Sequence, residues 1–162
     1  MTSVGKHEDK GKSENRMEKR IPEELVNQAL EARQKAYTPY SCFAVGAALL
    51  CADGTIYQGC NIENAAYTPT NCAERTAFFK AVSEGRRDFT AMAIVGGPQD
   101  SSVLEHCAPC GVCRQVMREF CRDDFEIYLG SRSQDGRISY ERYTLEELLP
   151  MGFGPDNLGC RM

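Results

Sequence analysis

The sequence predicts an α/β fold: three layers, α/β/α, built on a mixed sheet of about five strands. Three observations point there. Strand-like runs alternate with helical ones through the middle of the chain, a tight-turn dipeptide joins the first two strands, and Phe89–Val95 reads as a buried strand between two helices. The 162 residues suffice for one domain with a substantial core. Hydrophobic residues make up 42% and charged residues 26%, the balance of a water-soluble globular chain.

Residues 1–20 are rich in Lys, Glu, Asp, Ser and Gly and read as a disordered charged tail, leaving 21–162 as a single domain. Pro22 is expected to open the first helix. Leu25, Val26, Ala29, Leu30, Ala32 and Ala36 follow at helical spacing, and Pro39 ends the pattern. Tyr40 to Phe43 is a loop. Ala44–Cys51 and Thr55–Gly59 read as two strands of a hairpin turned at Asp53-Gly54. Asn61–Asn71 is a polar loop. Cys72–Ser83 has helical composition and stops at Gly85. Phe89–Val95 is a buried strand ended by Gly96-Gly97-Pro98, and Cys110–Cys121 is a helix behind Pro109. Glu126–Leu129 and Ile138–Tyr143 are further strands around a turn at Gly130–Gly136. Thr144-x-x-Glu147 is a capping box for a short last helix.

Two short pieces carry the chemistry: Cys72-Ala73-Glu74 and Pro109-Cys110-Gly111-Val112-Cys113. Both fall at expected helix starts, where free N–H groups and partial positive charge stabilise thiolates. Cys110 and Cys113, three apart, share one helical face. With Cys72 they make three thiolate ligands for a catalytic zinc that keeps its fourth position for water. Glu74, two residues from a ligand, is placed to act as the acid/base. Zinc with three thiolates carries excess negative charge, which opposes lowering the pKa of bound water to about 7. Arg75 and Arg114 follow the motifs directly and are the expected compensating cations.

Other uses of these cysteines compete. A Cys-x-x-Cys at a helix start suits a redox pair, but that leaves Cys72 and Glu74 without a role. Cys107-x-x-Cys110-x-x-Cys113 resembles the start of an iron–sulfur run, with Cys121 too distant to complete it. Cys107 as a fourth ligand would make the zinc structural, and a non-catalytic zinc-binding interaction module leaves Glu74 unexplained. His106 reads as a loop residue. The other cysteines read as small apolar fillers or surface thiols. Nine cysteines is an odd number, and no export signal precedes them, so metal or catalytic use is favoured over disulfides and the expected address is cytoplasmic. The net charge of −4 argues against a nucleic-acid partner. No apolar run approaches the roughly 20 residues of a membrane span, so no membrane partner is expected.

Cys72-Ala-Glu74-Arg75-Thr76-Ala77 and Pro109-Cys110-Gly-Val-Cys113-Arg114-Gln115-Val116 closely resemble the small, homotetrameric zinc-dependent cytidine deaminases. So do Phe43-x-Val45-Gly46-Ala47-Ala48-Leu49, Gly59-Cys60-Asn61-Ile62-Glu63-Asn64-Ala65, and the tail from Leu148-Leu149-Pro150 through Phe153-Gly154-Pro155. The resemblance covers Pro22 to Leu158. It implies zinc on Cys72, Cys110 and Cys113, with Glu74 moving protons in hydrolytic deamination of cytidine and 2′-deoxycytidine for pyrimidine salvage. It also implies a substrate pocket of Phe43, Asn61, Glu63, Ala65, Tyr67 and Phe153. Asn61 and Glu63 would hold the ribose and Phe43 would flank the pyrimidine. A neighbouring subunit of a homotetramer would contribute to each pocket, at positions matching Tyr67 and Phe153. Without the resemblance, Asn61 and Glu63 read equally well as loop-capping residues. A blasticidin S-type deaminase shares the two zinc motifs and is the nearest alternative. The sequence departs from the usual pattern at Ala66-Tyr67-Thr68-Pro69, where the proline is displaced by one, and in the long loop between Val95 and Pro109.

Overall fold

The computed structural model describes residues 8–160. Its elements are α1 (Glu8–Arg33), β1 (Phe43–Cys51), β2 (Ile56–Cys60), α2 (Ala73–Ser83), β3 (Phe89–Pro98), α3 (Gly111–Phe120), β4 (Glu126–Arg132), β5 (Ile138–Thr144) and α4 (Leu145–Leu148), then a 3-10 turn at Pro155–Leu158. The five strands form one sheet in the order β2-β1-β3-β4-β5. Only the β3/β4 pair is parallel; the other three pairs are antiparallel. The sheet is therefore mixed, and β3-α3-β4 is its single parallel crossover.

Strand periodicity sorts the core into two layers. Ala47, Leu49, Met92, Ile94, Ile127 and Leu129 face α2 and α3, where Phe78, Cys113 and Met117 meet them. Ala48, Ala91, Ala93, Val95 and Tyr128 face α1 at Leu25, Val26 and Ala29. The α1 side is lined mostly by small residues, so that helix lies close to the sheet. The opposite side is wider and is filled by aromatics: Phe78 packs edge-on against Phe89 at 5.0 Å and stacks on Phe120 at 6.0 Å.

One close approach sets the position of the first motif. A Cβ on Gly59 would lie 2.3 Å from the Ala73 carbonyl oxygen and 2.5 Å from the Ala77 nitrogen. The missing side chain lets α2 lie directly on β2, which fixes where its N-terminus points.

The structure departs from the sequence expectations in four places. Pro22 lies inside α1 rather than opening it, because the helix continues back to Glu8. Glu, Lys and Arg in that stretch are strong helix formers. The expected disordered tail thus coincides with helix over 8–20, and 1–7 lie outside the described residues. Strand β3 runs on through Gly96 and Gly97 to Pro98, because β1 offers Val45, Ala44 and Phe43 as partners. Likewise β4 extends to Arg132, opposite Ile138, and the turn shifts to Ser133–Arg137. The 3-10 turn near the C-terminus has no counterpart among the expected elements.

Candidate active site

The two cysteine motifs meet at the ends of two helices. Cys72 is the N-cap of α2 and Cys110 the N-cap of α3, both with extended backbone. The Cys110 sulfur accepts the Cys113 N–H at 3.5 Å. Cys113 sits in the first turn of α3, buried. The sulfurs of Cys72 and Cys110 are 4.0 Å apart and those of Cys110 and Cys113 3.5 Å, and all three lie within 4.8 Å of one another. Tetrahedral zinc with Zn–S bonds of about 2.3 Å places its sulfurs about 3.8 Å apart, so this triangle fits the ion. Among the described residues no His, Asp or Glu joins the cluster, which leaves a fourth position free of protein.

Glu74, in the first turn of α2, is buried at 4% exposure. Burial pushes its carboxyl up to about 7, and the neighbouring Cys72 pushes in the same direction. Cys72 itself is held down at about 5 by its hydrogen bonding with Cys113 and with Arg75. The Cys113 thiol is pushed up by that same contact and by burial. Arg75 Nη2 lies 3.6 Å from the Cys72 sulfur and 3.3 Å from the Thr70 carbonyl oxygen.

Arg114, the other expected cation, points elsewhere. Its Nε donates to the Pro109 carbonyl and Nη1 to the Leu148 carbonyl, each at 2.8 Å. One residue along a helix turns the side chain by about 100°. Following Cys113 directly therefore carries Arg114 away from the sulfurs, and it braces the loop before α3 instead.

Asn61 and Glu63 carry the loop-capping bonds. The Asn61 amide bridges β1: Oδ1 accepts Val45 N–H and Nδ2 donates to the Phe43 carbonyl, both at 2.8 Å. Glu63 accepts the backbone N–H groups of Tyr40 at 2.9 Å and Ser41 at 3.2 Å, and the Ser41 hydroxyl. These bonds, led by the Ser41 hydroxyl, hold its carboxyl below the usual range. Glu63 also lines a cleft of about 330 Å³ with Tyr40, Ser41, Tyr67 and Thr70.

Phe43 is partly exposed and lines a second cleft, of about 510 Å³, with the β3 end at Gly96–Pro98 and with Cys107. Ala65 is exposed in the turn before Tyr67. Tyr67 has a left-handed backbone (φ 57°) and an exposed ring set edge-on to Tyr40. The Phe153 ring is exposed as well.

Two site features went unread in the sequence. Cys107, set aside as a filler, forms part of the Phe43 cleft. A Cβ on Gly96 would meet its sulfur at 2.7 Å, and burial pushes its thiol up to about 11, with Glu74 and Cys72 contributing. Buried Arg33 donates to the Ala44, Gly97 and Pro98 carbonyls, tying the cleft wall to α1. The signals were present: a Gly-Gly pair inside an apolar strand, and an arginine at an apolar helical position. His106 pairs with Glu141 at 3.4 Å and is no part of the sulfur cluster.

Residues 19–129, more than half of the chain, match the family model of the cytidine and deoxycytidylate deaminase zinc-binding region. The chain belongs to this family. A cytidine deaminase of Sporosarcina psychrophila is 51% identical over 136 residues, covering 84% of this chain and 93% of the relative. The crystal structure of cytidine deaminase from Burkholderia pseudomallei superposes with a TM-score of 0.70 at 44% identity, covering 81% of this chain and 98% of that one. A blasticidin-S deaminase of Bacillus cereus is more distant, at 31% identity over 67% of this chain and 76% of the relative. Family membership agrees with the sulfur triangle: a zinc-binding deaminase region coincides with the three thiols that fit zinc.

Proposed function

We propose that the protein hydrolyses cytidine and 2′-deoxycytidine to uridine and 2′-deoxyuridine, releasing ammonia, in pyrimidine salvage. The observation that carries this is the buried Glu74 beside three thiols at the ends of α2 and α3. Zinc held by Cys72, Cys110 and Cys113 supplies the Lewis acidity that makes water a usable nucleophile near pH 7.

Glu74 performs the proton work. It takes a proton from water and delivers it to ring N3, which makes C4 more electrophilic. The hydroxide left behind bonds to C4; Glu74 then takes the remaining proton from that new C4 hydroxyl and passes it to the C4 amino group, so C4=O forms as the C4–N bond breaks with ammonia as a neutral leaving group. A carboxyl raised toward neutrality by burial both accepts and donates readily, and such general acid/base work is worth ~10²–10⁴-fold. Phe43, on the wall of the cleft it shares with Cys107, flanks the pyrimidine. Asn61 and Glu63 hold the ribose hydroxyls in addition to their loop bonds. The negative charge of Glu63 disfavours a phosphate nearby, hence a nucleoside rather than a nucleotide.

The exposed rings of Tyr67 and Phe153 serve the pockets of neighbouring copies in a homotetramer, with Ala65 on the same loop as Tyr67. Their exposure leaves both rings free to meet another copy. The nine cysteines are all free thiols, as a reducing cytoplasm would keep them. Among the described residues no helix is long and apolar enough to cross a membrane. A small nucleoside, not a nucleic-acid strand or a bilayer, is the partner this acidic chain suits.

The test is direct. Purified protein is incubated with cytidine, 2′-deoxycytidine or blasticidin S, and ammonia release and loss of the cytosine absorbance are followed. Turnover of the two nucleosides, abolished by a zinc chelator, is expected. Turnover of blasticidin S alone would replace this reading with the antibiotic-deaminase one.

A further inference from the structure

Helix α3 begins with two of the sulfurs, and its outer face grips the C-terminal tail. Arg114 and Arg118, one turn apart, and Gln115 between them all reach that tail. Arg114 Nη1 donates to the Leu148 carbonyl at 2.8 Å and Gln115 Nε2 to the Phe153 carbonyl at 2.9 Å. Arg118 Nη2 reaches the Asp156 carboxylate at 3.4 Å, while its Nη1 pairs with Asp123 at 3.1 Å. The tail also runs against the Arg118 stem: a Cβ on Gly154 would lie 2.9 Å from Nε and 3.0 Å from Cγ. Beyond it, Pro155 is buried and Asn157 accepts the Gly154 N–H at 2.8 Å.

The Phe153 backbone is thus held on both sides while its ring stays 58% exposed. Here the carbonyl is bonded to the helix, the next residue lies against the arginine, and the ring is displayed. Surface ion pairs such as Arg118 with exposed Asp156 add little stability. The Arg118 side chain is nevertheless largely covered, at 14% exposure, because the tail lies over it.

We infer that Gln115 and Arg118 are positioning residues: they fix the direction in which Phe153 is presented, so that the ring completes the pocket of a neighbouring copy. This rests on the reading of Phe153 given above and deepens it. It makes α3 a shared rigid element, whose first turn holds Cys110 and Cys113 for one copy while its outer face sets a pocket wall for another.

The experiment measures kcat, KM for cytidine, zinc content and melting temperature for Arg118→Ala, Arg118→Lys, Gln115→Ala and Phe153→Ala. A misplaced binding group costs up to about 10²-fold, so the alanine variants at 115 and 118 are expected to raise KM roughly tenfold, with zinc content kept. Arg118→Lys keeps the charge without the fork and should recover part of the loss. Arg118→Ala chains are then co-assembled with Glu74→Gln chains, which lack the proton carrier but have intact tails. Competent sites in the mixture should regain the wild-type KM. A lower melting temperature with unchanged KM in Arg118→Ala and Gln115→Ala would reduce both to structural braces and overturn the inference. An unchanged KM in Phe153→Ala would instead remove the reading of Phe153 itself. Failure of co-assembly to restore KM would place the ring in its own copy's pocket, which contradicts presentation to a neighbour.

Discussion

The Arg75 guanidinium lies 3.6 Å from the Cys72 sulfur through Nη2, while its buried Nε meets no hydrogen-bond partner among the described residues. The contact answers the charge problem of a three-thiolate zinc site. Three thiolates outweigh the charge of one zinc, and an always-protonated guanidinium, together with two helix N-termini, returns part of the balance.

Arg75→Gln is therefore expected to weaken the site. The amide keeps some hydrogen bonding but removes the cation, so zinc should transfer faster to a competing chelator and turnover should fall. Zinc-release kinetics followed with a chromogenic chelator read this without relying on activity. Retention and kcat both equal to wild type would mean that the guanidinium is only a brace for Thr70.

Glu74→Gln keeps the shape of the side chain and removes its proton chemistry. Turnover should drop by at least ~10²–10⁴-fold, the range of a general acid/base, while zinc content and fold stay as they were. Metal analysis beside a cytidine assay checks both halves. A variant that retains wild-type turnover would mean another group carries the protons.

Gly59→Ala tests how the fold places the site. Its new methyl would press on the Ala73 carbonyl and the Ala77 N–H, inside the helix that carries Cys72 and Glu74. Overpacking of this kind costs about 1–3 kcal/mol. Thermal unfolding should show lower stability, and a zinc titration should show weaker binding, since α2 must lift from the sheet. Loss of stability with unchanged zinc affinity would show that the site tolerates movement of α2.

Asn61 is expected to act on both stability and substrate. Asn61→Ala strands the Val45 N–H and the Phe43 carbonyl, at a cost of about 1–3 kcal/mol where those groups lose water. It should lower the melting temperature and raise KM together. Asn61→Asp keeps the acceptor for Val45 but sets a carboxylate oxygen against the Phe43 carbonyl, so it should be no better than alanine in stability. A residue devoted to ribose alone would change KM and leave the melting temperature untouched.

What was legible in the sequence is what short-range chemistry decides. Asp53-Gly54 marks the hairpin, Thr144 and Glu147 form their capping box, and both cysteine motifs open helices. Those features depend on a few adjacent residues. The length of β3 depends on β1 lying beside it, so Gly96 and Gly97 looked like an end while the pairing continued to Pro98. Arg114 is next to Cys113 in sequence but not in space, because helical rotation turns it to the Pro109 and Leu148 carbonyls. The Phe43 cleft joins a strand start, a strand end and Cys107 from distant parts of the chain, which no local pattern reports. Asn61 and Glu63 were found by resemblance, but their bonds to β1 and to the 40–41 turn appear only once the strands are in place.

The central claim is most directly tested by titrating zinc back into the metal-stripped protein while following cytidine deamination at each point. Activity should rise linearly and level off at one zinc per chain, with Cys113→Ser failing to reach that plateau. Cytidine deamination by folded, fully stripped protein, or none by protein carrying one zinc per chain, would contradict it.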